Sequence, residues 1–330
     1  MRRTACIARP ATSRTRRRTS SGSHRKAAAG RTTPACKSAC SAAPGADRLP
    51  PSNGIPGASV SAGKIRVGIG GWNFEPWRDN FYPEGWPQSR ELEYASQRLT
   101  AIEINSTYYG AQKPATFAKW RDTAPDGFIF SLKATRYATQ RRVLADGADS
   151  IKRFIGSGIA ELGDKLGPIV WQLAPTHKFD AADLTAFLEL LPDQVDGLKL
   201  RHALDVRHDS FRCAEYVALA RRFKAATVFT ESDDYPAIPD VTGDFVYTRI
   251  MRTHPDEPLG CKAEVFPPLA AAARVWAEGG EPDGLPRIEP TPAEPAAPRD
   301  VFVYFISGAK ERAPHAAMAL RRALGETVEP

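Results

Sequence analysis

The sequence predicts an eight-stranded (β/α) barrel of the TIM type, built as a single domain, and two observations indicate this fold class. From Lys64 onward, short runs rich in β-branched and aromatic residues alternate with helical patterns, which favours parallel pairing of the strands. Eight such units follow one another, and eight units within roughly 250 residues fit a closed barrel better than an open doubly wound sheet. The open sheet remains the alternative on sequence grounds.

The predicted strands are eight segments with strong β propensity. They are residues 65–71, 101–106, 128–133, 168–173, 201–207, 226–231, 244–250 and 301–306. Helical patterns lie between or after them, at residues 89–99, 149–163, 181–191, 212–224, 267–278 and 313–324. A Pro- and Glu-rich insert at residues 279–300 precedes the eighth strand, and we expect a solvated loop at the non-catalytic end of the barrel.

The charge is distributed unevenly along the 330 residues, whose total is +7. Residues 1–62 hold 12 Lys or Arg and a single acid, Asp47, which is +11 and leaves −4 for the remainder. A Ser/Thr/Arg-rich segment cannot bury an apolar face, so we predict a disordered basic tail at residues 1–62 and a barrel domain at residues 63–326. The tail also fits a polyanion-binding segment, a transit peptide or a misassigned start.

Composition excludes several classes of protein. Hydrophobic residues make up 42% and charged residues 25% of the chain, which is typical of soluble globular proteins, and the sequence contains no apolar stretch long enough to span a bilayer. Only Cys213 and Cys261 of the five cysteines lie outside the tail, and no Cys/His pairs have zinc spacing, so we expect a reducing compartment, the cytoplasm. Gly68, Gly70 and Gly71 open no helix, so no nicotinamide or flavin signature is present.

Polar side chains near the strand ends predict a site. Glu103 and Asn105 share one face of the second strand, because side chains two residues apart point the same way. Ile102 and Ile104 share the other face and pack under helices, which directs Glu103 and Asn105 into the barrel near its catalytic mouth. Further polar residues near the ends of the later strands are Lys133, Gln172, Asp205, Arg207, Glu231, Arg249 and Tyr304.

Two interpretations of this ring are open. The charges could form a satisfied salt-bridge layer, for example Glu103 with Lys133 and Asp205 with Arg207. A layer that only stabilised the barrel could be replaced by packed Val, Ile and Leu at little cost, and each buried unpaired charge costs about several kcal/mol. The convergence of some six ionisable groups therefore favours a functional site.

These residues lie in a chain that closely resembles the YecE-like family, domain of unknown function 72. The resemblance rests on Gly71-Trp72, Trp77, Phe81-Tyr82-Pro83, Glu103 to Tyr108, Phe117, Trp120, Phe130 to Lys133, Gln172 to Pro175 and Tyr235-Pro236. It covers about residues 64 to 325 and implies a TIM-barrel-like fold with no established activity. The chain departs from the family at Asp205, Phe211, Glu231, Met251, Arg252 and Ile306, which indicates a divergent branch with an altered pocket.

The first functional hypothesis is an enzyme that acts on a small polar, anionic or sugar-like substrate by acid/base chemistry. The predicted catalytic residues are Glu103, Asp205, Lys133 and Glu231, and the predicted substrate-binding residues are Trp72, Asn105, Gln172, Arg207, Arg249 and Tyr304. Nearby carboxylates are expected to keep the pKa of Lys133 high, which argues against a Schiff base. Mg²⁺ on the carboxylates is a possible cofactor, whereas zinc lacks inward histidines.

Two alternatives come from other classes of protein. The barrel could be a non-catalytic module that binds a nucleotide or the end of a nucleic acid, assisted by the basic tail. It could also be a degenerate barrel retained for contacts with a partner protein. The sequence predicts neither an oligomeric state nor a particular reaction.

Overall fold

Eight parallel strands follow one another in chain order around a closed barrel. The computed structural model describes residues 62–290 and 297–329. The strands are β1 (Ile65–Gly70), β2 (Ala101–Ile104), β3 (Ile129–Lys133), β4 (Leu166–Gln172), β5 (His202–Asp205), β6 (Ala226–Glu231), β7 (Phe245–Ile250) and β8 (Asp300–Phe305). The predicted fold class is confirmed, and the predicted tail falls on residues outside the described part.

Helices connect the strands. They are α1 (Glu91–Arg98), α2 (Ser106–Tyr109), α3 (Pro114–Thr123), α4 (Arg136–Thr139), α5 (Ala148–Ile155), α6 (Ala181–Glu189), α7 (Ala214–Arg222), α8 (Phe266–Ala277) and α9 (Ala313–Ala323). The helix predicted at residues 149–163 ends early, and a 3-10 segment at Ile159–Lys165 follows the left-handed Gly158. Helix α3 occupies a segment for which the sequence analysis gave no helix; Pro114 begins it and Phe117 buries one face.

Two connections depart from simple strand-helix alternation. The chain passes from β6 to β7 through residues 232–244, all of which are described, without forming a helix. A short antiparallel hairpin, Gln194–Val195 with Leu198–Lys199, lies between α6 and β5. Neither departure opens the barrel, since β6 pairs with both β5 and β7 in parallel register.

Strand periodicity sorts the side chains into two apolar layers. Ile102 and Ile104 of β2 point outward into the large core that the helices cover, and Ala101 belongs to the smaller cluster inside the barrel. Inside, the rings of Tyr247 and Tyr304 stack with centroids 5.0 Å apart. The barrel interior is therefore filled by side chains below its mouth, as in other barrels of eight strands.

The Pro-rich insert lies between α8 and β8. Residues 281–290 are described, and there the Asp240 carboxylate accepts hydrogen bonds from the backbone N–H groups of Ile288 and Glu289. A helix-to-strand connection reaches the amino end of its strand, which is opposite the predicted site, and residues 291–296 lie outside the described part. Among the described helices, none has the length and apolar character needed to cross a bilayer.

Candidate functional site at the carboxyl end of the barrel

A cavity of about 550 Å³ opens at the carboxyl ends of the strands. A volume in this range is typical of sites for small molecules. The predicted site residues that line it are Trp72, Glu103, Asn105, Lys133, Gln172, Arg207 and Arg249. Their side chains reach one cavity because parallel strands in a barrel end on the same face, so residues far apart in sequence converge there.

Arg249 forms the floor of this cavity, and its side chain is only 1% exposed. Its guanidinium donates to both carboxylate oxygens of Glu103, and its Nε lies 3.1 Å from Glu103 Oε2. The Tyr247 hydroxyl donates to the same Oε2 atom at 2.7 Å. The Glu103 carboxylate is thus fully buried and satisfied on both oxygens by groups from the opposite side of the barrel.

The other side of the Arg249 guanidinium faces Asp205 and Gln172. Its Nη1 atom donates to Asp205 Oδ2 and to Gln172 Oε1, the latter at 3.1 Å. Arg207 Nη2 donates to the same two acceptors, at 3.0 Å to Asp205 and 2.9 Å to Gln172. One fully buried arginine therefore bridges two carboxylates, and a second arginine covers one of them from the cavity side.

This cluster determines the charge states below the cavity. Burial alone lowers the pKa of Arg249, but the adjacent carboxylates of Glu103 and Asp205 outweigh burial, so the net direction is upward and the guanidinium stays charged. Of the two pairings named as examples of a salt-bridge layer, that of Asp205 with Arg207 is present. The pairing of Glu103 with Lys133 is not formed, because Arg249 reaches Glu103 across the barrel and bonds to both of its oxygens.

Lys133 is consequently left without a carboxylate among the described residues. Its ammonium group lies 4.3 Å above the ring of Tyr108 and lines the cavity. Burial, followed by the positive charge of Arg249, lowers the pKa of Lys133 to about 8, although Glu103 and Asp205 act in the opposite direction. The expectation that carboxylates keep this pKa high is wrong, because those carboxylates are already neutralised by arginines.

A second cation, Lys310, enters the cavity from the loop after β8. Its ammonium group lies 4.2 Å from the ring centroid of Phe74 and 5.4 Å from that of Trp77. Burial lowers the pKa of Lys310, and no carboxylate among the described residues lies within ion-pairing distance. The lysines and arginines at the cavity thus outnumber the carboxylates of Glu103 and Asp205 by two, four against two.

Aromatic side chains form one wall and the rim of the cavity. Trp72 lies two residues after the end of β1 and packs edge-on against Trp120 of α3, with ring centroids 5.3 Å apart. Tyr109, which is 64% exposed, contributes to the rim. Trp77, Phe81 and Tyr82 are buried in the packing of the loop after β1, and Trp77 also lines the cavity.

Glu231 does not lie where the sequence predicted. Val228 belongs to the cluster inside the barrel, so Thr230 shares its inward face and Glu231 points to the opposite side. The Glu231 carboxylate instead lies 3.7 Å from the guanidinium of Arg252. The prediction for Glu231 was wrong, because the inward-facing position is one residue earlier in the strand. Nearness to a strand end does not specify which face a side chain occupies.

Tyr304 also lies outside the cavity. It points inward, as predicted, but it is fully buried one layer below, where its hydroxyl is 2.7 Å from Ser131 Oγ. Tyr304 stacks on Tyr247, whose hydroxyl holds Glu103. The assignment of Tyr304 to substrate binding is therefore wrong, and the residue supports the floor of the site.

The carboxylates do not fit the magnesium ion that the sequence left possible. Both oxygens of Glu103 and of Asp205 accept hydrogen bonds from guanidinium groups, so a cation between them would face Arg249. Within residues 62–290 and 297–329, no group of three or more His, Cys, Asp or Glu is arranged to hold a metal ion.

Sequence reasoning did not single out several cavity residues. These are Asn73, Phe74, Ser106, Gln112, Ser307 and Lys310, and all of them lie in the segments that follow β1, β2 or β8. Barrel sites are built from the segments that follow the carboxyl ends of the strands, and of these segments the sequence-based prediction included Trp72 but none of these six residues. Lys310 follows the end of β8 by five residues and could have been found by that rule.

The fold and this cavity define the class of protein: a (β/α) barrel with a cavity lined by charged side chains at the carboxyl ends of its strands. The family model described as "Protein of unknown function DUF72" matches residues 66–330. Because this match covers most of the chain, the chain belongs to the DUF72 family.

Individual relatives agree with this placement. The UPF0759 protein YecE of Escherichia coli (strain K12) is 28% identical over 115 residues, which span 34% of this chain and only 41% of that protein. A crystal structure of a DUF72 family protein from Thermotoga maritima MSB8 is 21% identical and has a TM-score of 0.58, covering 80% of this chain and 100% of that chain. An Enterococcus faecalis V583 member of the same family is 15% identical, also with a TM-score of 0.58, and covers 80% of this chain and 97% of that chain. These structural matches support the barrel fold.

Proposed function

We propose that this barrel is an enzyme that binds a small polar anion in the cavity and uses Lys133 as its acid/base group. One observation carries the proposal. Lys133 lines the cavity without a carboxylate partner among the described residues, whereas the carboxylates of Glu103 and Asp205 are held by arginines. An unpaired, partly buried ammonium group in a cavity attracts an anion because little else there offsets its charge.

The protonation behaviour of Lys133 suits proton transfer. A pKa of about 8 leaves both the ammonium and the neutral amine populated near physiological pH. General acids and bases work best when their pKa lies near the working pH. Glu103 and Asp205, predicted from the sequence as acid and base, instead orient Arg249 beneath the reacting group in this proposal, since their oxygens are occupied.

The remaining polar groups of the cavity support a hydroxylated, sugar-like substrate. Asn105 and Gln112 line the cavity, and Trp72 and Trp120 offer apolar surface beside them. Such a mixture of amides and an aromatic wall fits the polar edges and apolar faces of a sugar. Arg207 keeps Nη1 without a hydrogen bond to any described residue, so this atom is free to donate to a substrate oxygen.

The substitution Lys133→Met tests this proposal. We expect it to weaken binding of polyol carboxylates about tenfold or more, because a hydrogen bond to a charged group contributes roughly 1.5–3 kcal/mol. Isothermal titration against gluconate, with sorbitol as the uncharged analogue, measures the effect. The exposed Lys152 of α5 provides the matched control, and Lys152→Met should leave the titration unchanged. Equal binding of gluconate by wild type and by Lys133→Met would contradict the proposal.

A second candidate function is non-catalytic binding of a nucleotide or of a nucleic-acid end. The aromatic rim favours it, since the exposed ring of Tyr109 and the half-buried ring of Trp72 offer surfaces on which a base can stack. A contribution of the basic tail is part of this candidate and is tested by removing residues 1–62. A polyanion binder should lose affinity and salt sensitivity on this truncation, whereas turnover at the cavity should not change.

A further inference from the structure

The loop after β8 brings a second free cation to the cavity, and its local structure is specific. Ser307 and Gly308 both have left-handed backbone conformations, with φ of 67° and 58°. A Cβ at Gly308 would lie 2.7 Å from the Met251 carbonyl oxygen and from Thr253 Oγ1, so only glycine fits there. The loop after β8 is thus held tightly against the loop after β7, and this contact fixes the position of the Lys310 backbone.

Ser307 and Lys310 present complementary groups to the same space. Both residues line the cavity, and Ser307 is exposed. The Ser307 hydroxyl makes no hydrogen bond to any described residue. The hydroxyl of Thr253 bonds instead to the backbone carbonyl of Ser307. An ammonium and a free hydroxyl that line one cavity from the same loop match the chemistry of a phosphate, and barrel folds often place a phosphate near the loops after the seventh and eighth strands.

The Lys310 group and the Lys133 group are separated around the barrel. Lys133 ends β3 and Lys310 follows β8, and β1 and β2 lie between these strands in the closed sheet. Neighbouring strands are about 4.8 Å apart, so the two loops stand on well-separated arcs of the mouth. One small anionic group cannot occupy both positions, yet one cavity contains them.

We propose that the cavity takes a sugar-like chain with a phosphate at one end, bound by Lys310 and Ser307, and a carboxylate or carbonyl at the other end, bound by Lys133 and Arg207. This inference rests on the proposed function, since it retains Lys133 as the reactive pole. Arg207 belongs at the carboxylate pole because its planar guanidinium has a free Nη1 and is fixed by Asp205, Gln172 and the ring of Tyr235 at 4.3 Å.

Four ligands of one carbon skeleton test the inference. Sorbitol carries no charged group, sorbitol 6-phosphate carries only the phosphate, and gluconate carries only the carboxylate. The fourth ligand, 6-phosphogluconate, carries both. We expect wild type to bind 6-phosphogluconate about tenfold or more tightly than either single anion, and sorbitol most weakly, as measured by isothermal titration.

Two variants assign each anion to its pole. Lys310→Met removes the ammonium group that lies over Phe74 while retaining an unbranched apolar side chain, and it should lower the affinity of the two phosphorylated ligands alone by about tenfold. Lys133→Met should remove a similar factor from the two carboxylates alone, and Lys152→Met should change nothing. Circular dichroism of each variant checks that the fold is intact.

The outcomes separate this inference from the proposed function. If 6-phosphogluconate binds no more tightly than gluconate, or if Lys310→Met weakens all four ligands equally, the two-pole site is wrong, while a loss of gluconate binding in Lys133→Met still supports the proposed function. If none of the four ligands binds wild type, or if Lys133→Met leaves gluconate binding unchanged, the proposed function fails and the two-pole site fails with it.

Discussion

Replacing Arg249 with methionine is expected to destabilise the protein by about 3–5 kcal/mol, the range seen when one member of a buried ion pair is removed. Among the described residues, the substitution leaves the fully buried carboxylate of Glu103 with the Tyr247 hydroxyl as its one remaining donor. Asp205 retains Arg207 but loses its second guanidinium. Urea unfolding followed by circular dichroism measures the change in the free energy of unfolding.

Two controls separate the loss of charge from the change of side chain. Arg252→Met removes an arginine that is 46% exposed, and its ion pairs should contribute about 1 kcal/mol or less. Adding Glu103→Gln to Arg249→Met removes the uncompensated charge, so this double variant should be more stable than Arg249→Met alone. A loss below about 1 kcal/mol for Arg249→Met, or no recovery in the double variant, would show that the cluster is not the main stabilising feature of the mouth.

The fold was predictable because its signal is repeated along the chain. Each of the eight predicted strands is rich in β-forming residues and is followed by a segment that connects it to the next strand. An error in the position of one strand end therefore did not change the number of predicted strands. Strand β5 illustrates this: it was predicted at residues 201–207 and spans His202–Asp205, yet its parallel pairing with β4 and β6 is unaffected.

The convergence of the site residues was also predictable, but their pairing was not. Periodicity predicted that Glu103 points into the barrel, because this depends only on neighbours along one strand, whereas Arg249 was predicted from its nearness to the end of its strand. Which cation meets which carboxylate depends on the reach of each side chain across the barrel. Arg249 spans that interior and bonds to both Glu103 and Asp205, so Lys133 was left unpaired.

The errors at Glu231 and Tyr304 have different physical origins. Glu231 was placed by its nearness to the end of β6, and the inward face proved to be that of Thr230. Tyr304 was placed on the correct face, but its depth along the barrel axis depends on how neighbouring strands are staggered. The register pairs Tyr304 with Arg249, and the Tyr304 ring lies beneath that guanidinium layer, where it stacks on Tyr247. Stagger is a property of the closed sheet and cannot be read from one strand.

The tight packing of the layer below the cavity explains why Lys133 can lie there without a carboxylate partner among the described residues. Tyr247, Tyr304 and Ser131 fill the layer below and fix Glu103 through a hydroxyl group. With both carboxylates fixed on Arg249, neither can turn toward Lys133 without leaving a buried guanidinium unpaired. The rigid floor therefore maintains the free amine on which the proposed chemistry depends.

Lys133 is expected to react with amine-directed reagents far faster than an exposed lysine. With a pKa of about 8, half of Lys133 is the neutral amine at pH 8, whereas an ordinary lysine with a pKa of about 10.4 is almost fully protonated. The neutral fraction is then roughly a hundredfold larger for Lys133. Acetylation rates of Lys133 and Lys152, measured by peptide mass spectrometry between pH 6 and pH 11 on the intact protein, give both titration curves.

The lowered pKa of Lys133 also makes the free energy of unfolding depend on pH in a defined direction. Because the folded-state pKa of Lys133 lies below its unfolded value, the unfolded chain binds more protons between about pH 8 and pH 10.4, so this residue adds stability as pH rises through that interval. The difference in unfolding free energy between wild type and Lys133→Met isolates this contribution from other titrating groups. Gluconate should slow the acetylation of Lys133 but not of Lys152. A Lys133 midpoint near pH 10, or a wild-type-minus-variant difference that is flat from pH 8 to pH 10.4, would contradict the lowered pKa and remove the basis for proton transfer by Lys133.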